Sequence, residues 1–264
     1  MNLWVWIIII AFFGIGIYFI IKRIIFDRNL KVKRWGEIPS DTLIKKSVKI
    51  PLENNLLMKA NIYTSTDFVE YISLPLMIIA PQQNKNVSYN EYLGAVFALQ
   101  GYITLVLEYR DGYQDKSVFI RNNLNHYQKI KEFGLNLQRV DRTKVALFGF
   151  DYGAEIMVRT GIIDPDIKII LAASMPHIPV ESLPSEFDGE KIRLIHCIDD
   201  KIVPFDDFLE NLKVLNVSKQ NYLTFQLGGH DLFCQEVAAL GFFSAMLKEA
   251  LSPQIKQVIK REAG

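Results

Sequence analysis

The five residues Gly149-Phe150-Asp151-Tyr152-Gly153 constrain this chain more than any other stretch. Lys144 to Phe148 before them reads as a short buried strand, and Ala154 to Thr160 after them carries apolar residues at helical spacing, so the five occupy a strand-to-helix turn. Small residues at the first and fifth places are needed when the central residue is forced into a strained backbone conformation with its side chain clear of the sheet edge. Serine is the usual residue at the centre of such a turn; here it is Asp151.

The surrounding pattern predicts an α/β architecture. Leu43 to Ile50 and Leu56 to Thr64 alternate in part and flank Glu53-Asn54-Asn55, as in an antiparallel hairpin. Pro75 to Ala80 is a continuous apolar run, expected of a strand covered on both faces. Helices at Asn90 to Gln100 and Arg121 to Leu137 then alternate with strands at Ile103 to Tyr109 and Lys144 to Phe148. The alternation continues through strands at Ile167 to Ala172, Lys191 to Cys197 and Tyr222 to Leu227, with helices at Phe205 to Leu215 and Leu232 to Leu251. Such alternation implies a mostly parallel sheet flanked by helices.

The amino terminus follows different rules. Leu3 to Ile21 carries no charge, and at about 1.5 Å per residue it approaches the ~30 Å hydrocarbon core of a bilayer. It is expected to span a membrane once. A cleaved signal peptide would want a basic start, a shorter apolar core and a small-x-small cleavage site, whereas Met1-Asn2 is uncharged and Lys22-Arg23 follows the run directly. Lys22, Arg23, Arg28, Lys31, Lys33 and Arg34 all follow the run, which places the carboxy-terminal domain on the cytoplasmic side. Gly14 and Gly16 lack the spacing that pairs helices closely, so the segment reads as a tether. The expected division is an anchor over 1–24, a basic linker over 25–42, an α/β domain over 43–252 and a polar tail over 253–264.

A formal net charge of +1 and the lack of a basic stripe argue against a nucleic-acid partner. Cys197 and Cys234 have neither CxxC spacing nor a His/Cys cluster around them, which suggests neither a zinc site nor a disulfide framework.

In open parallel sheets, sites form outside the carboxyl ends of the strands. Three reactive residues fall there: Asp151, Asp200 and His230. The stretch Asp200-Lys201-Ile202-Val203-Pro204 and the stretch Gly228-Gly229-His230-Asp231 resemble the acid and histidine segments of the α/β-hydrolase superfamily, in the chain order which that fold uses. Tyr109-Arg110-Asp111-Gly112 is similar to the loop after a strand in the dienelactone-hydrolase and acyl-peptidase branches. The resemblance covers Leu43 to Leu251 and implies a capless α/β-hydrolase fold with Asp151 at the nucleophile position. His230 would be the base, Asp200 its orienting acid, and the backbone amides of Tyr152 and Gln82 the oxyanion hole. No metal or organic cofactor is expected.

A carboxylate is already ionised, and a helix amino terminus favours its charge. Attack on an ester or amide would give a mixed anhydride, whereas attack on a carbon bearing a halide or a strained epoxide oxygen gives an alkyl-enzyme ester that His230-activated water can hydrolyse. That chemistry resembles the haloalkane dehalogenase, fluoroacetate dehalogenase and epoxide hydrolase branches. This chain departs from them in three places. Ser174 to Glu190 is too short for a cap, Trp4, Trp6 and Trp35 all lie in or near the anchor, and Pro81-Gln82-Gln83-Asn84 replaces a His-Gly oxyanion loop. The leading expectation is a tethered hydrolase of a small ester-like, epoxide or halogenated substrate. The alternative is an inactive binding or scaffold module at the membrane.

Plainer readings accompany each residue. Asp151 is also a good helix N-cap, Asp200 could cap the helix after Pro204, and His196 reads as a hydrogen-bonded core residue. His177 sits in a loop over the expected site, and His126 lies on a helix face.

Overall fold

The structure is a computed structural model and describes residues 17–18, 41–68, 71–81, 87–108, 115–251 and 254–255. The chain divides into two compact units, Met1–Ile38 and Pro39–Gly264. Of the first unit only Ile17 and Tyr18 are described, and both are helical. The expected span over Leu3 to Ile21 otherwise lies outside the described residues, among which no helix is long and apolar enough to cross a membrane.

The second unit is built on one sheet. Its strands are β1 (Leu43–Pro51), β2 (Leu57–Ser65), β3 (Tyr71–Ile79), β4 (Ile103–Leu107), β5 (Val140–Phe150), β6 (Ile167–Ala173), β7 (Ile192–Cys197) and β8 (Tyr222–Phe225), in the spatial order β1-β2-β4-β3-β5-β6-β7-β8. A short β9 (Gln254–Ile255), in the stretch expected to be a tail, pairs with the start of β3. The first hairpin is antiparallel, as its alternation predicts, and β2 meets β4 antiparallel. From β4 through β3, β5, β6 and β7 to β8 every pairing is parallel. Continuous burial of Leu76 to Ile79, of β4 and of Val145 to Phe148 explains why these strands carry no polar face.

Helices cover both faces. They are α1 (Val87–Leu99), α2 (Lys116–Leu135), α3 (Tyr152–Gly161), α4 (Phe205–Val214) and α5 (Glu236–Leu251). The face carrying Leu76, Ile78, Leu105, Leu147 and Ile170 joins α2, α3 and α4 in one core. On the opposite face Phe148 packs against Phe97 of α1 at 6.2 Å and edge-on to Phe243 of α5 at 5.6 Å. Two packed faces hold the central strands rigid, so their carboxyl ends form a fixed platform for loops.

Three boundaries differ instructively from the sequence expectation. Helix α2 begins at Lys116 rather than Arg121, because Asp115 accepts the amides of Ser117 and Val118 and caps it. Helix α1 begins at Val87 rather than Asn90. Helix α5 begins at Glu236 rather than Leu232, since Leu232 and Cys234 adopt positive φ of 56° and 63°. A turn bond from the Phe233 amide to the Gly228 carbonyl at 2.7 Å holds that segment as a loop.

Candidate active site

Strand β5 ends at Phe150 and α3 begins at Tyr152, leaving Asp151 alone between them at φ 54°, ψ −128°. A non-glycine residue reaches that region only when its surroundings impose it. Two glycines supply the imposition. A Cβ on Gly149 would lie 2.3 Å from the Gly153 carbonyl oxygen, and one on Gly153 would lie 2.9 Å from that of Pro81. The turn is therefore the strained strand-to-helix elbow predicted from the spacing, and its Asp151 amide is tied to the Ala173 carbonyl at the end of β6.

The Asp151 side chain makes no N-capping hydrogen bond to α3, so the plain cap reading does not account for it. It is buried, and burial pushes its carboxyl up to about 6. The charge of His230, the amide of Tyr152 and the Lys116 ammonium offset part of that penalty. The carboxylate thus already draws on the Tyr152 amide, one of the two groups expected of an oxyanion hole. Gln82, the other, lies outside the described residues, as do Tyr109 to Gly112.

Asp200 stands in the loop after β7. Its Oδ1 accepts the amides of Ile202 at 2.8 Å and Val203 at 3.0 Å, closing its own turn. Helix α4 is preceded instead by Pro204, so Asp200 is not its cap. The remaining oxygen, Oδ2, lies 2.9 Å from Nδ1 of His230. Burial opposes the Asp200 charge, but the His230 hydrogen bond and the two amides hold its carboxyl below the usual range. His230 mirrors this: burial disfavours its cation, while the hydrogen bond to Asp200 and the charges of Asp200 and Asp151 raise its pKa above the ordinary imidazole value. With Nδ1 committed to Asp200, Nε2 is the ring nitrogen left to exchange protons.

Three further residues seat the histidine. Phe150 meets its ring edge-on at 5.1 Å, Ser174 donates its hydroxyl to the His230 carbonyl at 2.8 Å, and Asp199 accepts the Gly229 amide at 2.7 Å. Ser174 follows Ala173, the partner of the Asp151 amide, so one strand end joins the elbow to the histidine loop. The spacing of the acid segment selects Asp200 over Asp199, and the geometry agrees: Asp200 holds the ring while Asp199 holds the backbone. Neither Phe150 nor Ser174 carries a sequence signal for this task, because their partners are distant in the chain.

Other expected or overlooked groups sit as follows. His196 is fully buried, stacks on Phe208 and places Nε2 3.1 Å from the Val203 carbonyl, as expected of a core histidine. Its pKa is lowered, chiefly by burial. Glu155, one helical turn beyond Asp151, is buried, with Oε1 3.2 Å from Arg159 and Oε2 without a hydrogen-bond partner. Burial raises its pKa. The Lys116 ammonium lies 4.4 Å from the centre of the Tyr152 ring. Periodicity could not have found this contact, since it joins the start of α2 to the start of α3. Among the described residues no cluster of His, Cys, Asp or Glu could hold a metal ion.

No protein-family model matches the sequence, and no curated protein matches it. Solved structures do resemble it. A dienelactone hydrolase, so described provisionally, from Klebsiella pneumoniae is 16% identical with a TM-score of 0.58, over 78% of this chain and 98% of that one. Esterase 2 of Thermogutta terrifontis, in a form phosphorylated by paraoxon, is 13% identical with a TM-score of 0.64, over 83% and 98%. The acylaminoacyl peptidase of Pyrococcus horikoshii is 14% identical with a TM-score of 0.60, over 81% of this chain and 43% of the peptidase. The chain has the α/β-hydrolase fold.

Proposed function

We propose that this protein is a hydrolase in which Asp151 is the nucleophile and the His230–Asp200 pair activates water. The observation that carries the reading is the elbow itself: a buried carboxylate held at φ 54° without a capping bond, facing the charge of a histidine that Asp200 orients at 2.9 Å. An oxygen of Asp151 attacks a saturated carbon; the bond from that carbon to a halide or epoxide oxygen breaks, and its electron pair leaves with that atom. The product is an alkyl ester of Asp151. Nε2 of His230 then takes a proton from water, the hydroxide adds to the Asp151 carbonyl carbon, and the alkyl oxygen departs with the proton from His230. Negative charge develops on the other Asp151 oxygen in that second step. The Tyr152 amide, which already favours the Asp151 charge, suits this step better than it would suit an oxyanion on an external ester.

The substrate class that follows is a small molecule with an electrophilic saturated carbon, an epoxide or a halide. Support from the fold is general, since the similar structures include hydrolases of other bonds. The hydropathy of Leu3 to Ile21 supports tethering to a membrane through that segment, with the domain on its cytoplasmic side.

The decisive experiment is His230→Ala incubated with a panel of epoxides and haloacids, followed by mass analysis of the peptide containing Asp151. An added alkyl group on Asp151, absent from Asp151→Asn, supports the nucleophile assignment. A wild-type chain that turns over a panel member while the His230→Ala chain acquires no adduct would move the reading to water activated directly by His230. A folded chain with neither adduct nor turnover leaves the scaffold reading standing.

A further inference from the structure

We infer that Lys116 is the substrate-anchoring cation of this site and that the substrate is a small carboxylate. This deepens the hydrolytic reading of Asp151 and rests on it for the reaction, though not for the binding.

Lys116 is the first residue of α2, and its position is fixed twice. The Asp115 cap orders the first turn, and the ammonium lies over the Tyr152 ring at 4.4 Å, where the negative face of the ring attracts it. Tyr152 directly follows Asp151, so a cation tied to that ring stands at the elbow. Its charge acts on Asp151 and on Glu155. Yet among the described residues no carboxylate lies within ion-pair distance of it; Glu155 gives its Oε1 to Arg159 instead. Lys116 is exposed, and among the described residues its three donors meet no hydrogen-bond acceptor.

The reaction gives such a cation a purpose. An anionic nucleophile attacking a neutral substrate needs no further positive charge near the ground state. An anionic substrate, however, would be repelled by Asp151, Glu155 and Asp200 unless a cation met it first. An exposed ammonium beside a buried carboxylate answers that need: it takes the carboxylate of the incoming acid and leaves the neighbouring electrophilic carbon toward Asp151. A lysine suits the task as a mobile point charge with three donors.

The test reads binding directly, with trifluoroacetate as the carboxylate probe and trifluoroethanol as its uncharged counterpart, both followed by fluorine line broadening on the full-length protein. Saturable broadening of trifluoroacetate alone is expected, retained in Lys116→Arg and weakened up to about fivefold in Lys116→Gln. Equal broadening by the alcohol, no broadening with the wild-type chain, or unchanged affinity in Lys116→Gln would overturn the inference. The outcome is separable from that of the hydrolytic reading. An Asp151 adduct without carboxylate binding keeps the nucleophile and removes the anchor, whereas carboxylate binding without any adduct keeps the anchor and removes the nucleophile.

Discussion

Asp151 shows most clearly what a single residue costs and supplies. Its carboxyl rises from 3.8 to about 6, so at about 1.4 kcal/mol per unit the ionised form weakens the fold by about 3 kcal/mol. The folded value lies above the unfolded one, so the penalty is absent below about pH 3.8, grows through the interval, and is complete above about pH 6. Asp151→Asn is therefore expected to raise stability by up to about 3 kcal/mol at pH 8 and by little at pH 4, read from urea denaturation at each pH. The neighbouring glycines behave oppositely. Gly149→Ala puts a methyl group 2.3 Å from a backbone oxygen that cannot move away without breaking the elbow, and a loss of about 2–3 kcal/mol in the same denaturation assay is expected. His230 sets the pH dependence of turnover: the base works only when neutral, so activity rises with pH through a value above the ordinary imidazole range. Asp200→Asn removes the main group that raises it, and the rising limb should move to lower pH while its height falls.

At the scale of elements, the sheet supplies positions and the loops supply chemistry. Asn211 of α4 shows how one is fastened to the other. It is buried, accepts the Ile178 amide at 3.0 Å and donates toward the carbonyls of Met175 at 3.3 Å and Pro176 at 3.0 Å. One side chain thus satisfies the backbone of the loop that follows Ser174, the residue bonded to the His230 carbonyl. Asn211→Ala leaves those buried groups unpaired and is expected to cost about 3 kcal/mol. Faster amide exchange at Ile178 and at His230 would confirm that the effect travels through the loop; exchange confined to α4 would refute it. Element type was readable because period separates strand from helix: the apolar runs of β3 to β7 could be nothing else beside the helices that alternate with them. Element ends were less readable. The Asp115 cap looks like any surface aspartate, and the stretch Leu232 to Gln235 has helical composition but is turned by backbone bonds to Gly228 and Gly229.

For the whole molecule, the division at Ile38 and Pro39 carries its own prediction. The second unit contains the entire described core, so a chain beginning at Pro39 should unfold in one cooperative step, read from urea denaturation. If Leu3 to Ile21 tethers the protein, the full chain should stay with membranes after alkaline carbonate washing while the shorter chain leaves them; release of both would remove the tether. The amino-acid sequence by itself determined the fold class, the elbow and the three positions Asp151, Asp200 and His230, because hydrophobic period and glycine spacing are local and each of these features is written within a few residues. Only the tertiary structure decided that Asp199 holds the Gly229 amide of the histidine loop, that Ser174 and Phe150 seat the His230 ring, and that Lys116 stands over Tyr152. Those relations join residues dozens of positions apart, and no local pattern encodes a contact that exists only once the parallel strands have brought their carboxyl ends to one edge.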